Sequence, residues 1–157
     1  MRRLVPPRRT VLAALSALVL LAGCGAQEPR PIALNEDQCG YCRMTISDAR
    51  FGGEAVLPTG RVMAFDAIEC LISWARSTPA ADRGALFVID VQHPGNFVPA
   101  ETAGFLLGGT MRTPMGGSII AFADAARAEE QRTMLGGQLR SWAQLLADST
   151  TAVAGEH

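Results

Sequence analysis

Hydrophobic positions along the chain form one long block, then a series of short blocks whose period alternates between strand-like and helix-like. The long block, Val11 to Ala22, is shorter than the roughly 20 residues needed to cross a hydrocarbon core. Arg2, Arg3, Arg8 and Arg9 precede it and small residues follow, so it reads as an export signal outside the fold. After it, Phe51 to Leu57 is apolar and β-prone, Pro58-Thr59-Gly60 is a turn, and Arg61 to Phe65 is a second strand, together a hairpin. Asp66-Ala-Ile-Glu69 has the form of a capping box, with Asp66 expected to accept from the helix and Glu69 to reach back. Ile68, Leu71, Ile72 and Ala75 recur at helical spacing, which predicts an amphipathic helix over 66–77 with Cys70 off its apolar stripe.

Ser77 to Gly84 reads as a connector and Ala85 to Val91 as a buried strand. His93-Pro-Gly95 turns the chain, and Phe97-Val98 and Gly104 to Leu107 are short strand candidates. The glycine-rich stretch 108–117 leads to a strand at Ser118 to Phe122. Asp124 to Leu135 is rich in good helix formers and stops at Gly136-Gly137. Gln138 to Trp142 and Ala143 to Ala147 form a last strand or short helix. "RVMAFDAIECLI" and "SIIAFADAARAE" share a strand ending in Ala-Phe, an acid and a helix. The expected fold is therefore α+β, with two similar ββα units packed around a shared core. Chance resemblance between short alternating segments is the alternative.

The end of the apolar block adds a modification. Leu21-Ala22-Gly23-Cys24 resembles the bacterial lipobox, in which the cysteine is lipidated and becomes the first mature residue; a buried apolar helix ending in Cys is the other reading. The expected organisation is a lipoprotein signal peptide over 1–23, a tether over 24–36, a folded domain over 37–147 and a tail over 148–157. Gly25, rather than an acid, after the cysteine favours the outer membrane by analogy. Arg8-Arg9-Thr-Val-Leu faintly resembles a twin-arginine signal, which leaves the export route open.

Composition narrows the function. The formal net charge is −1, the signal carries four of the cations, and the chain has no lysine. No basic patch remains to bind nucleic acid. The mature length is enough to bury a core without disulfide staples. With Cys24 lipidated, the thiols are Cys39, Cys42 and Cys70, an odd number that points to a free or metal-bound thiol rather than a disulfide framework.

The stretch "DQCGYCRM" concentrates sulfur: Cys39, Cys42 and Met44. A dithiol oxidoreductase needs a helix N-terminus directly behind the first cysteine, and here Thr45-Ile46 is β-prone. A zinc site needs four ligands, which Cys39, Cys42, Cys70 and His93 supply in number but not at a common zinc spacing. Met115, in Thr113-Pro-Met-Gly-Gly117, occupies a glycine-bounded loop suited to presenting a thioether; filling core gaps is the plainer reading of Met63, Met111 and Met134, and is preferred for Met63 and Met134. Thiolate with thioether selects Cu(I) over harder ions, and an open site suits a carrier. The copper, zinc, thiol-exchange and packing readings of these sulfurs stay open on the residues alone.

Cys42-Arg-Met44 after Tyr41, Ala64-Phe65-Asp66 before the first helix, and Thr113-Pro-Met-Gly116 before Ile119-Ile-Ala-Phe122 carry a resemblance. In that order, from Asp37 to Trp142, they are similar to the NosL family of exported copper-chaperone lipoproteins serving periplasmic nitrous oxide reductase. The resemblance implies a non-enzymatic carrier of Cu(I), with Cys42 and Met44 as the Cys-x-Met pair and Met115 as a further ligand. It also implies a lipid anchor on Cys24, a monomer or weak dimer facing the periplasm, and nitrous oxide reductase as receiver. Cys39 joins as a second thiolate, a redox partner or a spare ligand. His93 is a further candidate, and Arg43 is read as solvated.

Overall fold

In the computed structural model, residues 28–149 are described; the signal segment, Cys24 and the final residues lie outside them. The apolar blocks become seven strands and four helices among these residues: β1 Gly53–Val56, β2 Val62–Phe65, α1 Ile68–Ser77, α2 Ala80–Arg83, β3 Ala85–Ile89, β4 Phe97–Pro99, β5 Gly104–Leu107, β6 Ile119–Phe122, α3 Ala125–Leu135, β7 Gln138–Arg140 and α4 Trp142–Ala147. The fold mixes helix and sheet. No helix among the described residues is long and apolar enough to cross a membrane.

Two antiparallel sheets form, in the orders β2-β1-β3-β4 and β6-β5-β7. Each has a central strand that pairs with the next strand in sequence and with the strand that follows the intervening helix. Gly53 faces both Phe65 and Val88, and Phe105 faces both Ala121 and Arg140. All four residues of β1 are buried, as a central strand covered on both faces requires. The sheets meet where Val91 N–H donates to the Ala121 carbonyl at 2.9 Å, beside a parallel bridge between Asp90 and Ala121.

The main core gathers Ala55, Phe65, Ile68, Leu71, Ile72, Val88, Phe105, Ile119 and Leu145, so it draws on both sheets together with α1 and α4. A smaller cluster of Phe51, Val91, Leu106, Ile120, Phe122 and Ala128 lies under α3. Phe65 packs against Trp74 and Phe105 against Trp142, with ring centroids 5.4 and 6.0 Å apart. Arg76 at the end of α1 donates to the carbonyls of Leu145, Leu146 and Asp148, closing the last turn of α4.

Several expectations change. The capping box at Asp66 does not form: Ala67 is the N-cap, and no side chain bonds to the first turn. Glu69 points inward instead, and Asp66 Oδ1 is buried without a partner. A capping box forms at the other end of the chain, between Ser141 and Gln144. The connector 77–84 contains the single turn α2, and 138–147 holds both a strand and a helix. Met134 is 70% exposed rather than a core filler, because α3 turns only Ala128 inward. Met63 and Met111 are half-buried against the main and the smaller core cluster. The segment 30–36 also packs: Ile32 lies on the main core, Arg30 N–H donates to Glu54, and the Arg30 guanidinium pairs with Asp37 at 2.7 Å.

Candidate metal site

The sulfur-rich stretch folds as a loop closed at its neck. Cys39 N–H donates to the Met44 carbonyl at 2.8 Å, Arg43 N–H to the Cys39 carbonyl at 3.1 Å, and Gln38 bridges Thr45. Arg43 adopts φ of 66°, left-handed for a non-glycine residue, which is what lets so short a loop reverse. Gly40 N–H donates to the Ala64 carbonyl at 2.8 Å and pins the loop onto β2. A side chain at Gly40 would press on Met63 and Phe65, so glycine permits this close approach. No helix follows the two cysteines.

The loop lies over the first turn of α1, and this brings Cys70 into play. The sulfurs of Cys39, Cys42 and Cys70 all lie within 4.8 Å of one another, as free thiols. Cys39 and Cys70 are fully buried and Cys42 is half-buried. Three sulfurs about 2.3 Å from one metal ion stand about 4 Å apart in a plane, so the cluster needs only a small contraction to close on an ion. The Cys70 S–H donates to the Cys39 sulfur, which also accepts from the N–H groups of Asp66, Tyr41 and Cys42; together these outweigh burial and hold the Cys39 thiol well below its ordinary pKa. The same hydrogen bond, then burial, pushes Cys70 up. Cys42 is raised mainly by burial, against a bond from the Met44 N–H.

The methionines differ in setting. Met44 shares the loop with Cys39 and Cys42 and is 53% exposed. Met115, like Cys42, is half-buried against the core cluster that contains Cys39 and Cys70. Its loop is tied to α1 through Glu69: the Thr113 hydroxyl donates to Glu69 Oε1 at 2.6 Å, and Ile119 N–H approaches the same oxygen at 3.4 Å. A Cβ at Gly117 would collide with that carboxylate, which explains the glycine. Consecutive residues of one helical turn, Glu69 and Cys70, therefore fix the methionine loop and join the cysteine loop.

His93 is placed elsewhere. It sits exposed in the turn after β3, with Nδ1 2.8 Å from Asp90 Oδ2. Among the described residues, the group of close donors contains three cysteines and neither histidine nor carboxylate. The sequence reading counted Cys70 among possible zinc ligands but left it out of the copper set, because it judged the residue against the apolar stripe of its own helix. The only signal available was that Cys70 completes the trio of thiols.

A mixed helix-and-sheet frame with three thiols gathered under a short surface loop has the donor set that a soft-metal-binding protein needs. The NosL family model matches residues 31–150, and the chain belongs to that family. It is 29% identical over 144 residues to the copper-binding lipoprotein NosL of Stutzerimonas stutzeri, covering 83% of this chain and 75% of that one. Its fold is similar to the crystal structure of the copper chaperone NosL from Shewanella denitrificans, with a TM-score of 0.68 at 22% identity over 76% of this chain and 96% of that one. These relatives bind or carry metal and are not enzymes.

Proposed function

We propose that the protein is an exported lipoprotein that binds Cu(I) and passes it on by ligand exchange. The observation that carries this reading is the trio of free thiol sulfurs within 4.8 Å of one another, with partly exposed Cys42 at its edge. Three soft donors with no fourth ligand of the zinc type beside them among the described residues favour Cu(I). The Cys39–Cys42 loop lacks the following helix on which thiol-exchange enzymes rely, which favours binding over redox catalysis. The resemblance points to Cys42, Met44, Met115 and Cys39 as ligands, and Cys70 joins them as the third sulfur of the trio; exposed Met44 and half-buried Cys42 lie where a receiver's sulfur or imidazole enters. Family membership supports nitrous oxide reductase as the receiver, and a lipid on Cys24 as the anchor to the outer membrane, with the domain in the periplasm. The repeated order strand, strand, helix, strand supports descent from two related units sharing one core.

The test is an anaerobic titration of the reduced protein with Cu(I) against a chromophoric chelator, with Zn(II) in parallel. The expected result is one equivalent of copper held far more tightly than zinc, lost in Cys42→Ser with the fold retained. Tight zinc with weak copper would convert the site to a structural zinc module. Disulfide reductase activity with copper chelated would favour the oxidoreductase.

A further inference from the structure

The thiols and thioethers do not occupy equivalent positions. Cys39 and Cys70 have no solvent exposure, Cys42 is half-buried, and Met44, two residues on, is mostly exposed. Two of the three clustered thiols, Cys39 and Cys70, are closed off from solvent, and Cys42 and Met44 are the sulfur-bearing residues of the loop that reach toward it. The Met44 N–H donates to the Cys42 sulfur, so the two residues already meet through the backbone.

We infer that Cys39, Cys42 and Cys70 form an inner three-sulfur seat for the cargo copper, distinct from an outer seat at Cys42 and Met44, with Cys42 shared between them. This rests on the reading of the protein as a Cu(I) carrier. The inner seat holds the ion against loss and oxidation; the outer seat releases it. Passage between them is a ligand exchange without redox change: copper remains Cu(I), its bonds to the Cys39 and Cys70 sulfurs break as a bond to the Met44 sulfur forms, and the released thiolates take up protons from solvent. Because Cys42 stays bound throughout, the ion is never free. Cys70 is set in the first turn of a packed helix, with Cys70 N–H bonded to the Ala67 carbonyl at 3.0 Å, whereas Met44 belongs to the loop. The fixed ligand thus suits retention and the loop ligand suits delivery.

The experiment compares wild type, Cys70→Ala, Cys70→Ser and Met44→Leu, each loaded with one equivalent of Cu(I). It measures sulfur coordination by X-ray absorption, affinity by chelator competition and the rate of copper transfer to the chelator. The apo thermal midpoint of each variant reports folding. Wild type is expected to show three sulfur neighbours. Both Cys70 variants should still bind copper, with fewer sulfur neighbours, at least tenfold weaker affinity and faster release. Met44→Leu should retain three sulfurs around copper but release it several-fold more slowly. The coordination number separates a ligand from a core residue, since loss of packing alone lowers the midpoint without removing a sulfur from copper. Wild-type coordination and affinity in both Cys70 variants would overturn the inner seat while leaving the carrier intact. Failure of the wild type to bind copper at all would instead remove the carrier reading, and the inner seat with it.

Discussion

Helices α1 and α3 occupy corresponding places in the chain, each following a strand that ends in Ala-Phe and an acid, yet their surroundings differ. Seven of the ten residues of α1 are buried, against one, Ala128, of eleven in α3. Helix α1 lies between the four-stranded sheet, α4 and the strand β6, so even Glu69, Cys70 and Ser73 are enclosed. Helix α3 covers the three-stranded sheet from one side and presents Arg127, Glu129, Glu130 and Arg132 to water as i,i+3 ion pairs. The acids at the two starts differ in the same way. Asp124 caps α3 by accepting from the Arg127 N–H at 2.9 Å, whereas Asp66 caps nothing and is buried beside the cysteine loop. Enclosure accompanies the candidate site at one helix start, and the other start remains a surface element.

The largest break in this comparison comes from the core. Leu71→Ala removes a fully buried side chain at the centre of the main cluster and should cost about 3 kcal/mol in chemical denaturation of the apo protein. Met134→Ala in α3, on an exposed face, should change stability by less than about 0.5 kcal/mol. Equal losses would mean that α3 is buried against something in solution.

The next effect is electrostatic. Burial raises Asp66 to about 6 and Glu54 to about 7, above their unfolded values of 3.8 and 4.5. A carboxyl raised on folding favours the folded state while protonated, so its contribution is complete below the unfolded value and lost as pH rises through the folded one. These two carboxyls should therefore withdraw stability between about pH 4 and 7.5, by about 3 kcal/mol for each group, against the Cys39 thiol, whose lowered pKa of about 5 adds stability as pH rises above it. Denaturation midpoints across that range should show the slope, and Glu54→Gln should flatten its upper half. A slope unchanged in Glu54→Gln would place the titration elsewhere.

Thr113→Val sharpens the role of α1. It leaves the buried Glu69 Oε1 without its hydroxyl donor, which should cost about 1 to 2 kcal/mol and loosen the loop carrying Met115. If Met115 is a copper ligand, Cu(I) affinity should drop several-fold, as in Met115→Leu, and the double variant should lose little more than either single one. Additive losses would separate the loop anchor from the methionine.

What the sequence made legible was local. Hydrophobic period and turn residues located β1 and β2, the strand Gly104–Leu107 and both main helices to within two or three residues, because each signal lies within its own segment. What stayed hidden depended on contacts between distant segments. Cys70 looked like an off-stripe helix residue because only its own helix was visible; the loop that covers it lies some thirty residues earlier in the chain. Glu69 read as half of a capping box, since its partner Thr113 belongs to the other half of the chain. Met134 read as a core residue because Leu, Met and Ala in a helix suggest an inner face, and the shallow packing of α3 could not be seen.

The two acids give the finest comparison. Asp124→Ala removes a side-chain acceptor from the first turn of α3 and should destabilise the protein by about 1 kcal/mol at neutral pH, as cap losses do. Asp66→Asn removes no cap bond and relieves a buried charge near neutral pH, so it should hold or raise apo stability at pH 8 and do nothing for it at pH 4. Opposite signs would show that Asp124, at the N-cap of its helix, and Asp66, one residue before its N-cap and buried, have different roles. Denaturation of both variants at pH 4 and pH 8 decides it. A loss at Asp66 equal to that at Asp124 would mean that Asp66 stabilises the helix start after all, and that its burial beside the thiols serves the fold rather than the site.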